Sequence, residues 1–226
     1  MATIKVFNND ENRMETYYRG ENEAMPYITG NTLLVREFRG SSKSNLLWTE
    51  KRAMQAWNSF RFAYGRSIYV GFAFKRAYEG GHGQQSQHYA GVAFDVGQNL
   101  NNAQRAEMRR IAVESKLWGY VEPVSLSPTW VHFDRRRGTP ACASGGYPIT
   151  KSGNIGAYVL VLQDSLSALN YPVGGIDGVF GMISKNAVMA FQKDNGLTSD
   201  GIVGCLTWAT LMSQVVGSYM QLYPVD

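Results

Sequence analysis

The sequence predicts two domains: an α+β domain with a mostly antiparallel sheet over residues 1–146, and a small all-α domain of three helices over residues 155–226. In the first part, segments with strand and helix patterns follow one another in mixed order, which is typical of α+β proteins. In the second part, apolar residues recur at steps of three and four, as one buried helix face requires. The Gly, Pro and Ser residues between the two parts predict a linker at 147–154.

Five segments of the N-terminal domain have the patterns of helices or strands. They are a helix capped by Thr49 and ended by Gly65, a buried strand at 68–74, a helix capped by Asn102, and two strands at 120–122 and 129–133. The last two strands are joined by a short connection from Pro123 to Pro128, so we expect them to pair with each other.

A short element occurs twice in the C-terminal domain. The segment Asp177–Ser184 recurs as Asp200–Thr207. In each copy Asp-Gly predicts a tight turn, and the Ser or Thr at the end of the copy is expected to cap a helix. The pattern predicts a compact three-helix bundle with two similar loops.

The same domain has a specific resemblance. The residues that carry it include Leu162-Gln163, Asp177-Gly178, Phe180-Gly181, Phe191-Gln192, Gly196-Leu197, Asp200-Gly201 and Thr207-Trp208. With these residues in this order, residues 153–213 resemble the peptidoglycan-binding domain 1 family. The resemblance implies a small three-helix module that attaches enzymes to the bacterial cell wall, and therefore peptidoglycan as a partner.

Composition excludes several other classes of protein. The 226 residues carry a net charge of +4, and the longest basic run is Arg135–Arg137, interpreted as a solvated strand end. Because aromatic and basic residues do not interleave, we expect no nucleic acid partner. No apolar run reaches membrane-spanning length, and the N-terminus lacks the apolar core of a secretion signal. We expect a monomer that reaches the wall by a non-classical or phage holin-type route, or that otherwise stays cytoplasmic.

Two cysteines, Cys142 and Cys205, lie far apart in the sequence. They form no Cys-x-x-Cys metal knuckle, so we interpret both as structural or incidental. The sequence leaves open whether they pair.

The histidines give the strongest chemical pattern. The chain has three, and two of them, His88 and His132, accompany Asp95, which follows the first by seven residues. Two imidazoles and one carboxylate are a usual protein complement for a catalytic zinc, with the fourth position left for water. The pattern therefore predicts one Zn²⁺ at these three residues. His82, between two glycines, is expected to face solvent in a flexible loop.

This segment also resembles a known family. Ser86-x-His88-x-x-Gly91-x-Ala93-x-Asp95, followed by Trp130-x-His132, resembles the LAS-type zinc peptidases, in particular the D-alanyl-D-alanine carboxypeptidase and VanY-like group. The resemblance covers residues 68–134. It implies an α+β fold, zinc at the three predicted ligands and cleavage of peptidoglycan stem peptides. Ser86 could hydrogen-bond near the metal and bind substrate, or could equally form a turn. The lack of a secretion signal is what an endolysin-like hydrolase would show.

Two positions depart from the pattern of these relatives. Many of them carry an acidic residue three positions before the last zinc ligand, where this chain has Thr129. The arginine that contacts the substrate carboxylate in the relatives is replaced by Lys75, with Arg76 next to it, and either cation could bind that carboxylate.

Glu122 is the first candidate for the missing acid and base. If the two strands pair around a connection centred on Ser127, Glu122 lies opposite His132 with its side chain on the same face. A carboxylate at that point could accept a proton from a metal-bound water and return it. Asp134 is the alternative, because it shares a face with His132 in an extended strand.

The sequence thus predicts a zinc-dependent peptidoglycan peptidase, either a D-Ala-D-Ala carboxypeptidase or a stem-peptide endopeptidase. The alternative is a catalytically inactive, zinc-containing peptidoglycan-binding protein, which Thr129 favours. The sequence leaves open which peptide bond is cut.

Overall fold

A computed structural model describes residues 1–222, and it describes side chains as far as residue 216. Residues 223–226 of the predicted helical domain lie outside the described part. The strands are β1 (Ala2–Asn8), β2 (Arg13–Arg19), β3 (Leu46–Glu50), β4 (Val70–Phe72), β5 (Ala93–Val96), β6 (Tyr120–Val121), β7 (Val131–Asp134), β8 (Pro140–Cys142) and β9 (Gly145–Pro148). The helices are α1 (Val35–Arg39), α2 (Lys51–Tyr64), α3 (Asn102–Glu114), α4 (Ala157–Ala168), α5 (Met182–Asp194) and α6 (Cys205–Leu222).

The strands of the N-terminal part form two sheets and a hairpin. One sheet has the order β2-β1-β3, in which β1 is antiparallel to β2 and parallel to β3. The other has the order β4-β5-β7-β6 and is antiparallel throughout. β8 and β9 pair as an antiparallel hairpin. The predicted mixture of helices and mostly antiparallel strands is confirmed, with the β1–β3 pair as a parallel exception.

Helix α2 shows why the sequence folds as it does in this region. Its buried side chains recur at helical spacing and include Met54, Trp57 and Phe60. Gly65 ends the helix with a positive φ of 69°, and its N–H donates to the carbonyl of Arg61. The predicted end of this helix is confirmed.

Both predicted helix caps of the N-terminal part are wrong by one residue. Thr49 belongs to β3, and its hydroxyl donates to the carbonyl of Gly91 at 2.7 Å, so Glu50 precedes the helix instead. Asn101, not Asn102, caps α3, because its side chain accepts from the Gln104 N–H at 2.9 Å. The strand predicted at 68–74 shortens to three residues, since the pairing with β5 shifts register between its ends.

The two repeated loops of the C-terminal part are organised by two buried glutamines. Gln163 Oε1 accepts from the Gly178 N–H at 2.8 Å, and its amide donates to Asp177 at 2.7 Å. Gln192 makes the equivalent bonds with the Asp200-Gly201 turn, both at 2.9 Å.

These glutamines also correct the predicted helix caps of the repeat. Ser184 and Thr207 lie inside α5 and α6 rather than at their N-caps. Their hydroxyls accept from the amides of Gln163 and Gln192, at 3.1 and 3.2 Å. The three predicted helices are nevertheless present in the described residues.

The segment predicted as a linker is packed against both parts of the chain. Tyr147 is fully buried, and Thr150 exchanges two backbone hydrogen bonds with Val203, at 3.1 and 2.8 Å. The Trp208 indole N–H donates to the carbonyl of Pro148 at 2.9 Å. A single buried cluster of apolar residues runs through both parts. Within the described residues, the two predicted domains therefore share one core.

Cys142 and Cys205 form a disulfide, which answers the question that the sequence left open. The bond joins the end of β8 to the first residue of α6. It therefore ties the β8–β9 hairpin to the helical domain. Among the helices of the described residues, none has the length and apolarity needed to cross a membrane.

The disulfide should contribute measurably to stability. It links cysteines 63 positions apart, and the lost entropy of an unfolded loop of that length corresponds to about 4 kcal/mol at most. We expect the double variant Cys142→Ser/Cys205→Ser to unfold at a lower urea concentration than the oxidised protein. A reductant should lower the midpoint of the wild type and leave that of the double variant unchanged. Equal midpoints for the two proteins would contradict this prediction.

Candidate metal centre

A tight turn, packed on β3, presents His88. The His88 N–H donates to Ser86 Oγ at 3.3 Å, and the His88 carbonyl accepts from Gly91 N–H at 3.0 Å. Gly91 has a φ of +67°, and a Cβ there would lie 2.0 Å from the carbonyl oxygen of Trp48. Only glycine fits this position, because β3 approaches the turn so closely. Ser86 stabilises the turn through the same hydroxyl that the sequence placed near the substrate.

The two other predicted ligands face each other across β5 and β7. Asp95 is paired with His132 in the antiparallel register. Asp95 Oδ1 lies 2.7 Å from His132 Nδ1, and Asp95 Oδ2 lies 3.3 Å from His88 Nε2. The structure therefore brings all three predicted ligands together, two from neighbouring strands and one from the turn.

The outward-facing nitrogen of each imidazole has a partner of its own. His88 Nδ1 lies 3.1 Å from the carbonyl oxygen of Ala73. Because a carbonyl can only accept, Nδ1 carries the proton and the Nε2 lone pair faces Asp95. His132 Nε2 lies 3.2 Å from Asp134 Oδ2, which leaves Nδ1 facing Asp95. Such outer partners fix the tautomer and ring orientation of metal-binding histidines.

His82 also belongs to this cluster, so the expectation that it faces solvent is wrong. Its ring is half-buried, with its centroid 4.5 Å from that of His88. The ligand atoms of His82, His88 and Asp95 all lie within 4.8 Å of one another. The Tyr89 hydroxyl holds the loop by donating to the His82 carbonyl at 2.9 Å and accepting from the His82 N–H at 3.2 Å.

The electrostatics of the cluster suit a cation. Burial lowers the pKa of His82 to about 4, which keeps its imidazole neutral and able to bind a metal. Burial alone would raise the pKa of Asp95, but the hydrogen bond from His132 and the neighbouring His88 imidazole hold it well below its usual value. Burial alone would lower the pKa of His132, but the carboxylates of Asp134 and Asp95 raise it to about 9.

The residues present fit a zinc ion. Within the part of the chain that the structure describes, His88 Nε2 is buried and has no hydrogen-bond partner, although it faces a carboxylate. A buried polar atom without a partner is costly, and a metal ion would satisfy it. Nitrogen and carboxylate oxygen are zinc ligands. His88, Asp95 and His132 would hold the ion, with His82 as a further imidazole within reach.

The cluster opens into a cavity of about 390 Å³. Its lining consists of polar and charged side chains around two apolar ones and a glycine: His82, Gln84, Gln85, Ser86, Gln87, His88, Asp95, Glu122, Leu126, Trp130, His132, Arg136 and Gly146.

Glu122 reaches this cavity through the register that the sequence predicts. Tyr120 pairs with Asp134 and Val121 with Phe133, and the Glu122 N–H donates to the His132 carbonyl at 2.9 Å. The predicted pairing of β6 with β7, which places Glu122 opposite His132, is confirmed. The role of Glu122 as acid and base stays a prediction.

Arg109 holds the connection between these two strands. Its guanidinium donates to the carbonyl oxygens of Glu122, Ser127 and Trp130 at 3.0, 2.9 and 2.8 Å. One side chain thus fixes both ends and the middle of the segment that carries Glu122.

Asp134 and Thr129 are poorly placed for proton transfer. The Asp134 carboxylate is fully buried and accepts from Arg136 Nε at 2.8 Å and from Arg136 Nη2 at 2.5 Å. Burial opposes ionisation of Asp134, but the bonds from Arg136 hold its pKa below the usual value. Thr129 is exposed and lines a separate groove beside α3. The geometry therefore favours Glu122 over Asp134 as the base.

The prediction that Arg76 binds substrate is contradicted by its position. Arg76 is buried, and its guanidinium forms an ion pair with Asp164 of α4 and donates to Ser44 Oγ at 2.9 Å. It also lies over the ring of Trp48, at 5.1 Å from the centroid. These contacts hold the Arg76 side chain at the boundary between the two parts of the chain.

Lys75 lies beside the loop that carries His82. Its ammonium nitrogen would be 3.2 Å from a Cβ at Gly81, next to His82. Its positive charge acts on His82, whose pKa it lowers further. Lys75 therefore stays a predicted substrate-binding residue.

Arg136 is a cavity residue that the sequence interpretation missed, since it treated Arg135–Arg137 as a solvated strand end. Arg136 lines the cavity and lies over the ring of Tyr120, at 4.2 Å from the centroid. One pattern could have revealed it: His132 and Asp134 alternate on one face of β7, and Arg136 follows at the same spacing just beyond the end of the strand.

Comparison with protein families gives a match in the helical part of the chain. Residues 155–211 match the family described as "Putative peptidoglycan binding domain". A stretch of 78 residues, 32% of this chain, is 41% identical to an uncharacterized protein in the bpoA1 3' region of Kitasatospora aureofaciens and covers 66% of that protein. A stretch of 53 residues, 24% of this chain, is 42% identical to the N-acetylmuramoyl-L-alanine amidase CwlM of Mycobacterium tuberculosis and covers 13% of it.

Two solved structures are also similar. One is a peptidoglycan-binding protein from Clostridioides difficile in complex with glutamine hydroxamate, 41% identical over 31% of this chain and 44% of that one, with a TM-score of 0.30. The other is the SleB N-terminal domain, 33% identical over 30% of this chain and 92% of that one, with a TM-score of 0.29. Residues 155–211 form a peptidoglycan-binding domain. This match agrees with the resemblance that the sequence showed for this part of the chain.

Replacing Arg76 should destabilise the fold rather than weaken substrate binding. Arg76→Gln would leave the carboxylate of Asp164, whose side chain is 2% exposed, buried without a cation. Breaking a buried ion pair in this way costs about 3–5 kcal/mol, which urea unfolding would measure.

Arg110→Gln is the matched control. It removes an ion pair with Glu114 in which both side chains are about 60% exposed, and such pairs contribute about 0.5 kcal/mol. An Arg76→Gln protein with wild-type stability and weakened substrate binding would restore the interpretation of Arg76 as a substrate residue.

Proposed function

We propose that this protein is a zinc-dependent peptidoglycan peptidase, a D-Ala-D-Ala carboxypeptidase or stem-peptide endopeptidase, held on the wall by its C-terminal domain. One observation carries the proposal. His88 Nε2 and His132 Nδ1 both face the Asp95 carboxylate, at the wall of a cavity that Glu122 also lines. The peptidoglycan-binding domain at 155–211 supports peptidoglycan as the substrate.

The chemistry divides between the ion and the protein. When bound by two imidazoles and a carboxylate, zinc would polarise a peptide carbonyl and lower the pKa of water toward about 7. Ala73 and Asp134 hold the two ligand imidazoles in orientation through their outer nitrogens.

Proton transfer falls to Glu122. Its carboxylate takes a proton from the attacking water and delivers it to the leaving amine, so that the amine departs neutral. Arg109 supports this role, because it fixes the backbone on both sides of the connection. Lys75, next to His82, is the cation proposed to bind a substrate carboxylate, and Arg136 offers a second cation inside the cavity.

The second candidate function is a catalytically inactive, zinc-containing wall-binding protein. The observation that favours it is the placement of Thr129, which is exposed and lies outside the cavity. In that case the metal would have a structural role, and Glu122 would be a polar residue of the cavity without a proton to move.

Digestion of purified peptidoglycan separates these two functions. We expect the zinc-loaded protein to release new amino groups or free D-alanine from the wall, and a chelator to abolish the release because water activation requires the ion. Added Zn²⁺ should restore it. Wall binding without any released product, with zinc bound, would establish the second function, and mass spectrometry of the products would identify the bond cut.

Glu122→Gln tests the proposed base. The amide keeps the shape of the side chain but cannot accept the proton, so we expect the rate of hydrolysis to fall by about 10²–10⁴. Zinc content should not change, because Glu122 is not among the proposed ligands. Glu114→Gln, at an exposed position of α3, is the matched control and should hydrolyse at the normal rate. A normal rate for Glu122→Gln would remove Glu122 from the mechanism.

A further inference from the structure

The turn that presents His88 is held from the side of the helical domain. The Tyr147 hydroxyl donates to the carbonyl of Ser86 at 2.6 Å, and the Tyr147 N–H donates to Gln85 Oε1 at 2.9 Å. The Tyr158 hydroxyl donates to Gln87 Oε1 at 3.0 Å. Each of the three residues that precede His88 therefore accepts a hydrogen bond from a tyrosine of β9 or α4.

Tyr147 is anchored in the helical domain by its ring. The ring is fully buried, with its centroid 5.0 Å from that of Trp208 and 5.2 Å from that of Tyr158. Both neighbours belong to the peptidoglycan-binding domain. Gly146, the residue before Tyr147, lines the cavity itself, and a Cβ there would lie 2.5 Å from Gln85 Oε1.

The Ser86 carbonyl belongs to the hydrogen-bond network that holds His88 in position. It accepts from Tyr147 and also from the Tyr89 N–H at 3.1 Å, while the Ser86 hydroxyl accepts from His88 N–H at 3.3 Å. These bonds connect Tyr147 to the backbone of His88 through one residue. A change in the orientation of the Ser86 peptide would therefore move the imidazole relative to Asp95.

We propose that Tyr147 is a positioning residue, which fixes the turn carrying His88 and thereby makes the packing of the peptidoglycan-binding domain a structural part of the metal centre. This inference rests on the proposed function, because it assumes that His88 binds the metal. The helical domain then has two roles: attachment to the wall, and support of the turn.

Tyr147→Phe in the full-length protein is the test. The ring and its packing against Trp208 and Tyr158 are kept, and only the hydroxyl is lost. Removing outer partners of metal ligands lowers metal affinity by roughly 10–100-fold, and we expect about a tenfold loss of Zn²⁺ affinity, measured by competition with a chromophoric chelator. In the metal-free protein, the backbone amides of residues 86–91 should exchange hydrogen faster than in the wild type.

Tyr17→Phe is the matched control. Its hydroxyl donates to Glu15 at 2.7 Å in the sheet formed by β1, β2 and β3, and the residue is half-buried. We expect this variant to lose stability while its zinc affinity and the exchange at 86–91 stay unchanged. Tyr158→Phe, which removes the bond to Gln87, should weaken zinc binding in the same direction as Tyr147→Phe and replaces it if that variant fails to fold.

The outcomes separate the inference from the function on which it rests. If the wild type binds zinc and Tyr147→Phe binds it within about twofold, with unchanged exchange, the inference is overturned and the proposed function stands. Equal losses of affinity in Tyr147→Phe and Tyr17→Phe overturn it as well, because the effect then follows stability. A wild type that binds no zinc overturns the proposed function and the inference together.

Discussion

The antiparallel pairing of β5 with β7 is the constraint on which the candidate site depends. Asp95 and His132 are cross-strand partners, so their side chains lie on the same face at the distance that a shared ligand requires. The pairing of β6 with β7 adds Glu122 opposite His132. A slip of one residue in either pair would turn a side chain to the other face and separate the cluster.

Four side chains of alternating charge lie in a row on this sheet and just beyond the end of β7. Asp95, His132, Asp134 and Arg136 contact one another in that order. Burial opposes the charged form of the imidazole between them, but the two carboxylates raise its pKa to about 9. The carboxylate of Asp134 is balanced by Arg136, whereas the ion-pair contacts of Asp95 are with the imidazoles of His88 and His132.

The two domains are packed against each other, and this packing changes the role that we expect for the helical domain. A flexible linker would make wall binding a matter of raised local concentration. Here the predicted linker is packed, a disulfide joins the hairpin to α6, and Arg76 pairs with Asp164 across the boundary. The proposed attachment to the wall would then fix the direction in which the cavity faces the wall. The helical domain also contacts the turn that carries His88.

The sequence by itself determined the fold class, the three helices, the convergence of His88, Asp95 and His132, and the register that brings Glu122 to them. Local periodicity and residue spacing along strands carry that information. Only the tertiary structure decided the rest: the burial of His82, the contact of Arg76 with Asp164, the cavity position of Arg136, the disulfide, and the contact of Tyr147 with Ser86. The ion pair of Arg76, the disulfide and the bond from Tyr147 join residues far apart in the chain. The partner of such a side chain is set by which surfaces pack together. The spacing of residues along the sequence does not tell which distant surfaces will pack together.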